Sequence, residues 1–473
     1  MKYLLMMLLI TTSTNLLAVE KEPRQLARKL YISLTGVTPT AAELNMLEDK
    51  IAGLNAQGAA LDIIDQRSGV RNNGAFYNAT VKDMVTPWTN KAKTTLAPLN
   101  DMSATIIGWI RDDKQFNQIL YADSIYRARG VAFQGQITIL DKAAALQNAD
   151  CNRDITLAAD RNSDLYRILY NAPTQTNPSY KKCRLTKIPY FVTTNPEVVD
   201  SLSEYNTYNS LYLPDIDVVV RASLISASNE HYESISEQGL DLADPRVLKE
   251  SSQEGSLHKY PRAISGLLST RSYGAAYLYA GTNRAAVAFA VEHFLCKDME
   301  SLNDITIPDF RNRRDVDRSP GGTSDLYKNR CIGCHAGMDA LAGAFAYYDY
   351  VGSQVVYTPG TVVTKMNHNS IFPEGFTTQS DNWINLWTQG QNASLKWGAI
   401  SGGDGVKSLG MMLSETEAFH SCMAKQVYEK VCNRKAVADQ DKARIASLVS
   451  SYKESNYNMK KMFINASISC MGD

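Results

Sequence analysis

Two thiols three positions apart, followed at once by an imidazole, occur at Cys331-Ile-Gly-Cys334-His335. That order suits covalent haem attachment. Each thiol can reach one vinyl group of a porphyrin, and the His directly after swings its ring under the iron as proximal ligand. The spacing therefore predicts one haem c, held by Cys331, Cys334 and His335. Other chemistries use paired cysteines and have to be weighed. A thioredoxin-like redox pair wants a strand-to-helix turn in a βαβ unit, and no such pattern surrounds Cys331. Zinc needs further ligands, and the sequence has neither a second C-x-x-C nor an H-x₃₋₅-H. A structural disulfide is the remaining alternative.

The ligand on the opposite face of the iron sets spin state and potential. Met338 follows His335 too closely to cross the porphyrin. Met366, His368, Met411, Met412 and His420 lie downstream, and at most one of them can serve. Met366 follows an expected hairpin and Met411 precedes a helix cap, so these two are the candidate metal ligands beside His335. His258 and His293 are remote. Arg313, Arg314, Arg318 and Arg330 lie in a charged stretch before the motif, where one or two could pair with haem propionates. A solvated charged connector explains the same residues.

Residues 1–18 read as a secretory signal: Lys2, an apolar run, then Leu16-Leu17-Ala18 before a polar start. The run is too short to span a bilayer, and no other run of 18 apolar residues exists, so no transmembrane segment is expected after cleavage. Export agrees with the motif, because c-type haem is attached outside the bacterial cytoplasmic membrane. Lys plus Arg and Asp plus Glu both total 49 in 473 residues. That balance gives no electrostatic case for nucleic acid or a membrane surface. The length leaves room for two or three domains.

Six further cysteines, Cys151, Cys183, Cys296, Cys422, Cys432 and Cys470, suit disulfides in an exported chain. If Cys422 and Cys432 share one straight helix they stand ~15 Å apart, beyond the roughly 7 Å limit for bridging. They would then pair elsewhere, with Cys296 and Cys470 as natural partners. Cys151 and Cys183 flank a polar stretch and would close a loop.

The elements that must position the motif read as mainly α. Leu26, Leu30 and Ile32 mark a helix ending near Gly36, and Thr40-Ala-Ala-Glu43 is a capping box for a second. A polar segment over 72–95 breaks the pattern, after which Met102, Ile106, Trp109 and Ile110 share a helix face. Residues 134–215 suit long loops. Helices are expected at 218–228, 263–278 and 283–295, and a domain boundary near 300. Asp339 is placed to cap a helix bearing Leu341, Phe345 and Tyr348. A hairpin is expected over 352–366 around Pro359-Gly360. Ser414 and Glu417 read as a second capping box, and a last helix carries Ile445, Leu448, Val449 and Tyr452. The expected order is thus a leader over 1–18, mostly helical domains with long loops over 19–300, and a haem domain with a small hairpin over 301–473.

Gly322 and Leu326-Tyr327 ahead of the motif are similar to the leading helix of class I cytochrome c domains. More specifically, Cys331-Ile-Gly-Cys-His-Ala-Gly-Met338-Asp339-Ala-Leu341 with Phe345 and Tyr348-Asp349 resembles the planctomycete-type cytochrome c domain family. Phe419-His-Ser-Cys422 to Asn433-Arg434 resembles that family's C-terminal helix, and Arg28 to Glu43 its N-terminal helix pair. Ala340 stands where Pro is usual, and Val431-Cys432-Asn433 replaces a run of small residues. The resemblance implies a cytochrome c-like C-terminal domain with a single haem. The function expected is one-electron transfer between exported protein redox partners. The alternatives are a haem enzyme with an open sixth iron site, peroxidase-like or another oxidoreductase, and an exported structural or interaction protein with an incidental haem.

Overall fold

A computed structural model describes residues 22–128, 133–141, 188–192, 216–221, 229–251, 253 and 261–473. The expected leader over 1–18, Cys151, Cys183 and His258 lie outside the described residues. The architecture is mainly α with short antiparallel strands, as the sequence suggests.

Helix α1 (Pro23–Thr35) starts with Pro in its first turn, where a missing N–H costs nothing, and ends at Gly36 with φ +72°. Its core face is Leu30, Tyr31 and Leu34, and Ile32 is exposed. Helix α2 (Ala41–Ala52) opens on the expected box: the Glu43 amide donates to Thr40 Oγ1 and the Thr40 amide to Glu43 Oε2. Helix α3 (Ala56–Ile64) completes this N-terminal layer. The segment over 72–95 is not the expected break. A π turn (Phe76–Val81), an α turn and a 3₁₀ turn run through Thr89, burying Phe76, Tyr77, Val85 and Trp88. Helix α4 (Asp101–Arg111) is buried along its whole length.

Strand β1 (Ile125–Ala128) pairs with β5 (Leu248–Ser251), and β2 (Phe133–Asp141) lies between β3 (Ile188–Val192) and β4 (Ile216–Arg221), all antiparallel. Residues 216–221 are therefore strand where the start of a helix is expected; the run Val218-Val-Val favours a pleated backbone over a helix. Helix α5 (Glu230–Glu237) precedes β5. In place of one helix over 263–278 the chain makes short 3₁₀, α and π turns.

Helix α6 (Arg284–Leu295) packs on helix α7 (Ile332–Ala342), which carries Cys334 and His335. The hairpin is formed one turn earlier than expected, by β6 (Tyr348–Val351) and β7 (Gln354–Tyr357). Gly352 and Ser353 make its loop at φ +58° and +62°, as a two-residue type I′ connection requires. Strands β8 (Asn382–Ile384) and β9 (Gly402–Asp404) form another small pair. Helix α8 (Gly405–Glu415) runs straight on to α9 (Glu417–Cys432), whose cap is Thr416, not Ser414. Helix α10 (Asp439–Glu454) is the expected last helix, but α11 (Met459–Met471) follows it.

One contiguous apolar cluster runs through the described chain on both sides of residue 300, from Leu30 to Phe345 to Phe463. Helix α11 packs on α1 and α3, and α9 packs on α6. Cys422 and Cys432 do share α9 and do pair elsewhere. Cys296–Cys422 and Cys432–Cys470 are disulfides with Cα separations of 5.3 and 5.8 Å. Among the described residues no helix is long and apolar enough to cross a membrane.

Candidate haem-attachment site

The motif sits on one continuous helical segment. A π turn (Tyr327–Cys331) leads without a break into α7, and such wide turns concentrate where a helix carries a function. On a helix, positions i, i+3, i+4 and i+7 stack on one face. Cys331, Cys334, His335 and Met338 therefore share a face, and all four are half-buried. The opposite face is buried and built of small residues: Gly333, Ala336, Gly337 and Ala340. Two of these are glycines because neighbours come too close for anything larger. A Cβ on Gly333 would stand 2.8 Å from the Asp304 nitrogen, and one on Gly337 would stand 2.1 Å from the Trp387 indole.

Cys331 and Cys334 are free thiols, while the other four described cysteines are paired. The Cys334 thiol donates to the Met299 carbonyl at 3.2 Å. Burial raises its pKa above the ordinary value, and the neighbouring Cys331 and Glu300 add to the effect. His335 turns Nδ1 toward Asp339 Oδ1 at 3.4 Å. Its other ring nitrogen, Nε2, has no partner among the described residues.

Asp339 is not the helix cap that the sequence suggests. It lies inside α7, one turn after His335, with its side chain fully buried. The Arg284 guanidinium forks onto both of its oxygens, with Nη2 2.9 Å from Oδ2. The Arg313 amide also donates to Oδ2 at 2.9 Å, and Arg313 Nη2 stands 3.8 Å from Oδ1. Arg284 forks onto Asp315 as well. Two carboxylates thus face two guanidinium groups, and the buried charges balance. Burial alone would raise the Asp339 carboxyl. The hydrogen bonds from Arg284 and His335, with the charges of Arg313 and Arg284, reverse this and hold it well below the usual carboxylate range. Arg313 is pulled down to about 10 by burial, against the attraction of Asp339.

This placement corrects the reading of Arg313 as a propionate partner. Its guanidinium is enclosed, donating to the Thr282 carbonyl at 2.9 Å and facing the Met366 sulfur at 3.3 Å. Arg318 lies over the Tyr327 and Phe372 rings and donates to the Asn312 and Val316 carbonyls. Arg330, one residue before Cys331, is exposed. Met366 is buried against Arg313, Met411 lies on the outer side of α8 at 36% exposure, and Met412 is in the core. His420 stacks on Tyr457, and His293 meets the Tyr277 hydroxyl at 3.2 Å. His368 is exposed, its Nδ1 3.1 Å from the Lys365 carbonyl.

The donor set fits a covalent haem. Two unpaired thiols and an imidazole with an unengaged Nε2 lie on one accessible face. Sequence reasoning missed Asp339 in this role and Arg284 altogether. The four-residue step from His335 to Asp339 was readable on a helix; Arg284, 55 residues before Asp339, carried no local signal. The chain matches no family model, no curated protein and no solved structure.

Proposed function

We propose that this is an exported c-type cytochrome with one covalent haem that passes single electrons between protein redox partners. One observation carries the reading: the only described cysteines outside disulfides are the two that share a helix face with an imidazole whose Nε2 is unengaged. Each thiol, Cys331 and Cys334, would add its S–H across one vinyl group, giving two thioethers with no leaving group. His335 would offer Nε2 to the iron, and Arg330 is the exposed cation nearest the motif in sequence for a propionate. Haem supplies one-electron exchange when bound. The chain's own share is to fix the His335 ring, through Asp339, and to anchor α7 on a rigid core. Met411, at 36% exposure, is the proposed residue for the opposite iron face; Met366 is enclosed against Arg313 on the His335–Asp339 side.

The test is the intact mass of protein produced in a host that matures c-type cytochromes. The mass of one haem should survive denaturation and acid–acetone extraction, and the Cys331→Ala/Cys334→Ala variant should lack it. Wild-type protein carrying no covalent haem contradicts the reading.

A further inference from the structure

We infer that Asp339 is a positioning residue for the iron ligand, lowering the reduction potential of the haem by accepting the Nδ1 proton of His335. The inference rests on the haem reading above and adds to it which residue sets the electronics. With Nε2 committed to iron, the ring proton must reside on Nδ1. The Asp339 carboxylate is the acceptor the structure places before it, one helical turn away on the same segment. A second group that takes the far proton of a ligating imidazole fixes its tautomer and raises its basicity. A more basic ligand favours ferric over ferrous iron and depresses the potential.

The geometry makes Asp339 a fixed acceptor. Both oxygens are clamped, by the Arg284 fork and by the Arg313 amide, so the carboxylate cannot rotate away from the ring. No solvent reaches it. The 3.4 Å separation is long for a hydrogen bond, and ligation at Nε2 is expected to shorten it by orienting the ring. Arg284, Arg313 and Asp315 are the other charged groups facing this carboxylate. Arg284 competes most directly with the imidazole for its electron density.

Opposite changes give a signed test, read by optical redox titration of the haem-loaded protein. Asp339→Asn should raise the ferrous-to-ferric ratio at fixed potential at least tenfold, a shift of 59 mV for one electron. Arg284→Lys keeps the carboxylate, the Arg313 amide and the charge balance while giving up the fork that competes for Asp339, and should shift the ratio the other way. It also keeps the test open if Asp339→Asn fails to fold. Haem bands present in all proteins with ratios within threefold of wild type overturn the role of Asp339 and leave haem attachment standing. In that case Asp339 serves only to seat Arg284. Wild-type protein without haem bands overturns both.

Discussion

Replacing Gly337 by Ala separates local preference from packing by the sign of its effect. Ala is better than Gly inside a helix by about 1 kcal/mol, so propensity alone makes the variant more stable. The structure says otherwise. The new Cβ would lie 2.1 Å from Cε2 and Nε1 of Trp387 and 2.6 Å from Cζ2. Trp387 cannot yield cheaply, because it is fully buried and stacked on Trp397 with ring centres 6.3 Å apart and planes at 21°. Overpacking of this kind costs about 1–3 kcal/mol. After the propensity gain the range is about 0–2 kcal/mol, and a fixed ring this close puts the net loss at its upper end, about 2 kcal/mol. Driving the indole out of its site would move the cost toward the ~3–5 kcal/mol of losing a buried Trp. Urea unfolding followed by tryptophan fluorescence reads the result as a lower midpoint at unchanged slope. A midpoint equal to or above wild type refutes the close approach of Trp387 to α7.

Burial holds His293 and His420 neutral, each lowered from 6.5 to about 4. Between those values the unfolded chain binds more protons than the folded one, so stability is full above pH ~7 and falls as pH drops toward 4, by up to ~3 kcal/mol for each His. His420→Phe keeps a ring on Tyr457 and should remove about half of the slope between pH 7 and 5; an unchanged slope contradicts the assignment. Loops of 126 and 38 residues are closed by Cys296–Cys422 and Cys432–Cys470. Chain entropy makes their losses ~5 and ~4 kcal/mol, so the double Ala variant at 296 and 422 should unfold at lower denaturant than that at 432 and 470. Thr40→Ala removes the α2 cap and should cost about 1 kcal/mol by the same assay.

Features written in local chemistry were legible. Gly36, Thr40 and Glu43 specify the end of α1 and the start of α2 within eight residues. That Cys422 and Cys432 bond elsewhere than to each other followed from the rise of a helix. What escaped was set by tertiary competition. Pro359-Gly360 is a turn, yet the hairpin closes at Gly352-Ser353, because the chain there tolerates two positive φ values and aligns the buried Tyr348 with the half-buried Tyr357. The run Val218–Val220 joins a sheet whose partners lie about 80 residues earlier. Asp339 satisfied a cap rule on paper, but helix α7 begins before it. Its partners Arg284 and Arg313 arrive from a separate helix and from a loop that otherwise reads as a solvated connector.

The most direct test of the account is the optical spectrum of the purified ferrous protein, recorded with and without carbon monoxide. Haem attachment with electron transfer predicts sharp low-spin bands that carbon monoxide leaves unmoved. Bands that shift on adding the gas contradict the six-coordinate carrier in favour of an open iron site, and the absence of haem bands contradicts the central claim itself.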